Sequence, residues 1–198
     1  VLGTARTLEK ATAACAPAGA RATPFALELT DFDSVSACAE AVRREGVALD
    51  MLVCNAGIMA LPQLEQVNGL EKHFVTNHLG HFLLVNRLLD RVVAAPQGRV
   101  VVVSSRGYLW APPEGIEFDN LSGKRGEYDP NRAYGQSKLA NGLFSLELAR
   151  RLGGTRATSN SVHPGIIRTN LGRHFPRWKK LLGELIGWTF MKSIPAGA

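Results

Sequence analysis

The chain has 198 residues, 45% hydrophobic and 20% charged, with a net charge of +6 and a pI near 9.5. This is globular composition at a length suited to one domain with one sizeable core, which excludes a disordered or low-complexity chain. No apolar run reaches the roughly 20 residues that a membrane-spanning helix needs. Cys15, Cys38 and Cys54 are odd in number and lack C-x-x-C spacing. They speak against a disulfide framework or a zinc site, and for the cytoplasm or another reducing compartment. The mild basicity fits an anionic ligand, a membrane surface or nucleic acid and does not choose among them.

In chain order, "VLGTAR" reads as the tail of an apolar strand and "TLEKATAACA" as a helix. "ATPFALEL" reads as a strand, and "DFDSVSACAEAVRREG" as a helix with Asp31 or Asp33 as its N-cap. "LDMLVCNAG" is a buried strand running into a glycine turn, and residues 68–95 read as one long helix. "GRVVVVSS" is the plainest strand, while residues 106–130, rich in Gly and Pro, carry neither period. Residues 131–152 read as an amphipathic helix showing Leu139, Leu143, Leu146 and Leu148 to a core. The strand "RATSNSVHPG" and a final basic amphipathic helix follow. Strands alternate with helices, and the strands are continuous apolar runs. That pattern predicts an α/β fold, a doubly wound parallel sheet covered on both faces, as one domain over residues 1–198. Such sheets bind ligands beyond the carboxyl ends of their strands. Attention therefore falls on Arg6, "LELTD", "CNAG", "SSRG" and "HPGIIRTN".

Tyr134 and Lys138 are four residues apart and share a helix face. A free phenol, with a pKa of roughly 10, is a poor base at neutral pH, and a nearby ammonium lowers that value. The pair therefore suits proton transfer, although a solvated surface pair has the same spacing. Ser104 and Ser105 leave a strand at its carboxyl end, where a hydroxyl either donates to a carbonyl oxygen or only ends the strand. "CNAG" either admits a flat ligand close to the backbone or is an ordinary turn. Asn77 stands in an apolar helical pattern and needs a partner there. His78 and His81 lack a third ligand and read as packed or hydrogen-bonded rather than metal-binding. Pro164 and Gly165 mark a sharp turn, after which Thr169 could meet an amide or a phosphate.

In their order and spacing, "CNAG", "NHLGHF", "VVVVSS", "YGQSK" and "HPG" resemble the short-chain dehydrogenase/reductase family over essentially the whole chain. "RAYGQSKLAN", "LARRL" and "SNSVHPGIIRTNLGRHF" resemble the branch that holds retinol dehydrogenases, the WW-domain oxidoreductase and plant chloroplast-envelope short-chain dehydrogenases. The resemblance implies a Rossmann-type fold and metal-free hydride transfer between nicotinamide and the carbonyl or alcohol carbon of a small, apolar substrate. It implies Tyr134 as acid/base, and Lys138 as the residue that lowers the phenol pKa and binds the nicotinamide ribose. Ser105 is implied as the substrate-oxygen donor, and Asn77 as the helix-kinking residue that holds a relay water. Asn55, Ala56 and Gly57 match the segment lining the adenine-side ribose. Pro164, Gly165, Ile167 and Thr169 match the segment gripping carboxamide and pyrophosphate. Arg6 stands where an acidic residue would favour NAD(H), and an arginine there implies NADP(H).

There are departures from the family pattern. Cys54 replaces the first Asn of Asn-Asn-Ala-Gly, and Glu28 replaces an adenine-contacting Asp. The family's first strand and its T-G-x-x-x-G-x-G turn are not in this sequence, so the expected sheet lacks both. Residues 174–192 set apolar side chains against basic ones, as a lid over the pocket or as a peripheral membrane contact. Their basic face is too short to follow nucleic acid. A homo-oligomer is compatible with the sequence. The alternative function is a non-catalytic cofactor-sensing or scaffold protein on the same fold, or an inactive fragment.

Overall fold

In the computed structural model, the residues described are 1–165 and 167. β1 (Leu2–Ala5) pairs in parallel with β2 (Thr23–Ala26), Leu2 opposite Thr23 and Ala5 opposite Ala26. β3 (Met51–Cys54), β6 (Arg99–Val103) and β7 (Thr158–Val162) form a second parallel sheet in the order β3-β6-β7. Among the described residues the two sheets share no ladder. Helix packing joins them instead. Val35, Ala39 and Val42 of α2 (Phe32–Arg44) meet Leu84, Val85, Leu88 and Val92 of α4 (Gly80–Val93) in one core. That core also takes Leu27 and Leu29 from the end of β2 and Val100 and Val102 from β6. Each fully buried Val or Leu contributes about 1.5–3 kcal/mol of transfer free energy. At Gly80, an added Cβ would lie 2.4 Å from the Leu29 carbonyl oxygen, so a glycine there lets the helix touch the chain leaving β2.

Local signals set the element ends. Thr7 caps α1 (Leu8–Cys15), and Asp31 rather than Asp33 caps α2, its carboxylate accepting from the Asp33 and Ser34 amides. The expected single helix over 68–95 is corrected at its start. Asn68 and Gly69, with φ of 52° and 78°, form the turn of a hairpin between β4 (Gln66–Val67) and β5 (Leu70–Glu71). An Asn-Gly pair favours this turn because both residues tolerate positive φ. Helix then begins at α3 (Lys72–Phe74), capped by Glu71, and passes through a π-helical turn, Val75–Leu79, into α4. Residues 106–130 are not wholly irregular, since 3-10 turns occur at Arg106–Trp110 and Phe118–Asn120.

The apolar face expected of α5 (Pro130–Arg151) is also corrected. Leu148 is buried, but Leu143 is 48% and Leu146 70% exposed. The buried face is mostly polar or small: Tyr134, Gly135, Gln136, Ser137, Lys138 and Asn141, with Ser145 further along. The physical reason lies in proximity and pairing. At Gly135 an added Cβ would come within 2.6 Å of the Ala111 nitrogen, so the helix lies directly on the 106–110 turn. Lys138 and Asn141 donate to the Val103 carbonyl, and the Ser104 hydroxyl donates to the Lys138 carbonyl of the helix. α5 packs on β6 and β7, and Met51 and Val53 of β3 stay half-exposed on a face expected to be covered. No helix among the described residues is long and apolar enough to cross a membrane. The amphipathic helix expected near the end of the sequence, with residues 174–192, lies outside the described residues.

Candidate active site

Parallel strands bring their carboxyl ends to one edge, and the sequence-predicted residues collect there. Ser105 follows β6, and its oxygen accepts from the Gly107 amide at 3.0 Å. Tyr134 and Lys138 project from the buried face of α5, 3% and 5% exposed. The Ser105 hydroxyl lies close enough to the Tyr134 phenol to favour its ionised form. The Lys138 ammonium lies 5.7 Å from the centre of the Tyr134 ring and donates to the Val103 carbonyl at 3.0 Å. Burial is the main influence on both groups. It raises the Tyr134 phenol above its ordinary value, against the opposing effect of Ser105, and it brings Lys138 down to about 8. The lowering of the phenol expected from Lys138 is thus not the dominant effect in this arrangement.

Asn77 sits fully buried in the π-helical turn. Its Oδ1 accepts from the Ile58 amide at 2.8 Å, and its Nδ2 donates to the Ile58 carbonyl at 3.0 Å and to Ser137 Oγ at 2.9 Å. Ser137 in turn donates to the Tyr134 carbonyl at 2.7 Å. One amide side chain therefore ties the chain beyond β3 to the helix of Tyr134. Gly57 lies where these groups meet, since a Cβ there would be 3.0 Å from Asn77 Oδ1 and 3.7 Å from Lys138 Nζ.

The other expected cofactor residues that are described also follow strand ends, in one sheet or the other. Asn55 and Ala56 are exposed directly after β3, and Arg6 is exposed directly after β1. Pro164, Gly165 (φ 88°) and the half-buried Ile167 follow β7, while Thr169 lies outside the described residues. Glu28 is engaged locally, accepting from the Thr30 amide and hydroxyl at 3.0 and 2.7 Å. His78 bonds Asn141 Oδ1 at 3.2 Å, and His81 donates to the Asn77 carbonyl at 3.0 Å. Burial lowers both imidazoles, His81 to about 4, in keeping with packed neutral rings. No cluster of three or more metal-ligating side chains occurs among the described residues.

Sequence reasoning missed several participants. Ser137 carried no signal beyond its place between Tyr134 and Lys138, and Gly135 none beyond its small size. Glu71 and His73 could have been suspected as charge and imidazole at the head of an apolar helix. The apolar helical period runs across the hairpin and its cap and hides both. Trp110 was also unmarked, yet its ring centre lies 6.3 Å from that of Tyr134.

Comparison with known proteins adds the following. Residues 1–114 match the family model described as short chain dehydrogenase. Human retinol dehydrogenase 14 is 45% identical over 174 residues, an alignment covering 87% of this chain and 51% of that protein. The chloroplastic short-chain dehydrogenase TIC 32 A of Brassica napus is 40% identical over 179 residues, covering 87% of this chain and 55% of that one. A crystal structure of an uncharacterised protein from Mycobacterium paratuberculosis superposes with a TM-score of 0.73 at 37% identity, covering 88% of this chain and 62% of that chain. The chain spans about half the length of the curated relatives it matches.

Proposed function

Because the chain belongs to the short-chain dehydrogenase family, in its retinol dehydrogenase-like branch, we propose that it serves an oxidoreductase that interconverts a carbonyl and an alcohol with NADP(H). The observation that carries this reading is the convergence of Asn77, Ser105, Tyr134 and Lys138 at the carboxyl end of β6. The residues fit a dinucleotide. Gly57 leaves open the space beside Asn77 and Lys138 that a Cβ would fill. Arg6 is exposed and makes no ion pair among the described residues. Lys138 would hold the ribose next to the reacting ring, and Asn55, Ala56 and Gly57 the adenine-side ribose. Pro164, Gly165, Ile167 and Thr169 would hold the carboxamide and pyrophosphate. Arg6 would pair with a 2′-phosphate, for which a guanidinium fork is well shaped. When bound, the cofactor gives or takes the hydride.

The chain's own groups handle the proton and the substrate. Ser105 Oγ orients the substrate oxygen by hydrogen bonding. Tyr134 gives a proton to that oxygen in reduction and removes it in oxidation. Lys138, brought down to about 8 by burial, can exchange a proton in the neutral to alkaline range. Asn77 holds Ile58 and Ser137 fixed around this pair. Exposed Trp110, beside the Tyr134 ring, and exposed Tyr108, on the wall of a cavity shared with Ser105 and Lys138, supply apolar surface, which favours an apolar substrate.

Calorimetry with NADPH and NADH, together with turnover of an apolar aldehyde, tests the reading. The expected result is clear preference for NADPH, lost in Arg6→Asp. Tyr134→Phe should reduce turnover by about 100-fold or more while leaving cofactor affinity intact. Turnover that survives Tyr134→Phe removes the acid/base assignment, and tighter NADH binding removes the role of Arg6.

A further inference from the structure

We propose that His73, oriented by Glu71, is a positioning residue that works with Asn77 to clamp the Ile58–Leu61 loop. The inference rests on the reading that the preceding residues, Asn55–Gly57, line the cofactor. Glu71 and His73 are both buried, and neither has a part in the chemistry described above. Glu71 Oε2 accepts from the Phe74 amide at 2.9 Å, so capping of the helix fixes the carboxylate. Its other oxygen, Oε1, lies 2.6 Å from His73 Nδ1. The Tyr128 hydroxyl lies 3.4 Å from that oxygen and 3.4 Å from Nδ1. On the far side of the imidazole the Leu61 amide points at Nε2 from 3.4 Å. Nδ1 therefore donates and Nε2 accepts, and a single neutral tautomer meets both demands.

Asn77 follows His73 by one helical turn and grips Ile58 through both amide and carbonyl. One helix face thus holds both ends of the loop. Between those ends Ala60 has φ of 56°, a left-handed conformation uncommon for a residue with a Cβ. Such a conformation persists where the surroundings over-determine it. The His73 ring also meets the Tyr134 ring edge-on, with centres 6.3 Å apart and planes at 77°. His73 therefore links the loop beyond the cofactor segment to the helix that carries Tyr134.

Two near-isosteric substitutions separate the clamp from simple packing. His73→Gln places an amide oxygen at the Nε2 position, where it can still accept from Leu61. His73→Asn keeps a donor at the Nδ1 position but does not reach Leu61. Hydrogen-exchange mass spectrometry should show faster exchange over residues 58–61 in the Asn variant and near-wild-type exchange in the Gln variant. The KM for NADPH should rise about tenfold in His73→Asn, the scale of one lost hydrogen bond, with a smaller change in kcat. Glu71→Gln keeps the ring in place but turns an amide donor toward Nδ1, which reverses the tautomer, so it should also speed exchange at 58–61. Equal exchange in the Gln and Asn variants, or wild-type exchange in Glu71→Gln, overturns the clamp. Faster exchange with an unchanged KM overturns the positioning role. If the wild-type chain binds no NADP(H), the functional reading fails, and the exchange data still decide the clamp.

Discussion

The two halves of α5 follow opposite rules. From Tyr134 to Asn141 the helix buries phenol, amide, hydroxyl and ammonium groups, and Gln136, Ser137, Lys138 and Asn141 are paired with Glu117, Asn77 and the Val103 carbonyl. From Leu143 onward it leaves two leucines largely exposed and buries Ser145, which pairs with Ser159 at 2.9 Å. Polarity alone therefore does not decide which side of this helix is inside. Distance to a partner does. The first half lies against the 106–110 turn and the end of β6, where backbone groups await donors. Burying a polar group is tolerable when it is hydrogen-bonded and costly when it is not. The second half has no such company on its leucine side among the described residues.

Lys138→Met should give the largest change. The folded-state ammonium titrates near 8 against an ordinary 10.5. Below pH 8 both folded and unfolded chains carry the charge, and the native state bears the full burial penalty. As pH rises from 8 to 10.5 the unfolded chain holds more protons than the native one, so stability rises with pH. Lys138→Met should remove that slope. It should be the more stable protein below pH 8 by about 3 kcal/mol, with the gap closing near 10.5. The Val103 carbonyl retains a donor in Asn141 Nδ2, so the variant strands no buried acceptor. Urea unfolding at pH 7 and pH 10 measures this, and parallel pH profiles for the two proteins would mean that Lys138 is hydrated in solution.

Gly135→Ala comes next. The new methyl would approach backbone atoms of Ala111, Trp110 and Gly107 at 2.6–2.8 Å, and backbone cannot swing away as a flexible side chain can. A loss of about 1–3 kcal/mol is expected in the same unfolding experiment. Wild-type stability would show that the 106–110 turn is not pressed against the helix. Leu146→Gln should give the smallest change, within about 0.5 kcal/mol, as for other exposed positions. A loss of 2 kcal/mol or more would mean that something covers the second half in solution, and the contrast between the halves would then weaken.

Much of this was legible before any coordinates. Val100 and Val102 lie in a strand that needed no context to identify, and the cap of α2 was narrowed to Asp31 or Asp33. The spacing of Tyr134 and Lys138 placed them on one face, and the fold does bury that face. The hairpin at Asn68–Gly69 was legible in principle, because an Asn-Gly pair prefers positive φ, but the apolar helical period beyond it extended over the turn. The leucines of α5 misled because periodicity records which residues share a side and not which side is covered. His73 and Glu71 were illegible because their meaning depends on Leu61, twelve residues upstream of His73 and brought back by the fold.

By itself, the sequence determined the alternation of strands and helices, and the residue types that gather at the carboxyl ends of the strands. These follow from local backbone preference and from the period of apolar side chains, which act over a few residues. Only the tertiary structure decided that polar residues line the inner face of α5, that burial raises the Tyr134 phenol and lowers Lys138, and that His73 and Asn77 hold one loop between them. Those outcomes depend on desolvation and on hydrogen bonds between segments far apart in the chain, and distance in space is fixed only when the elements pack.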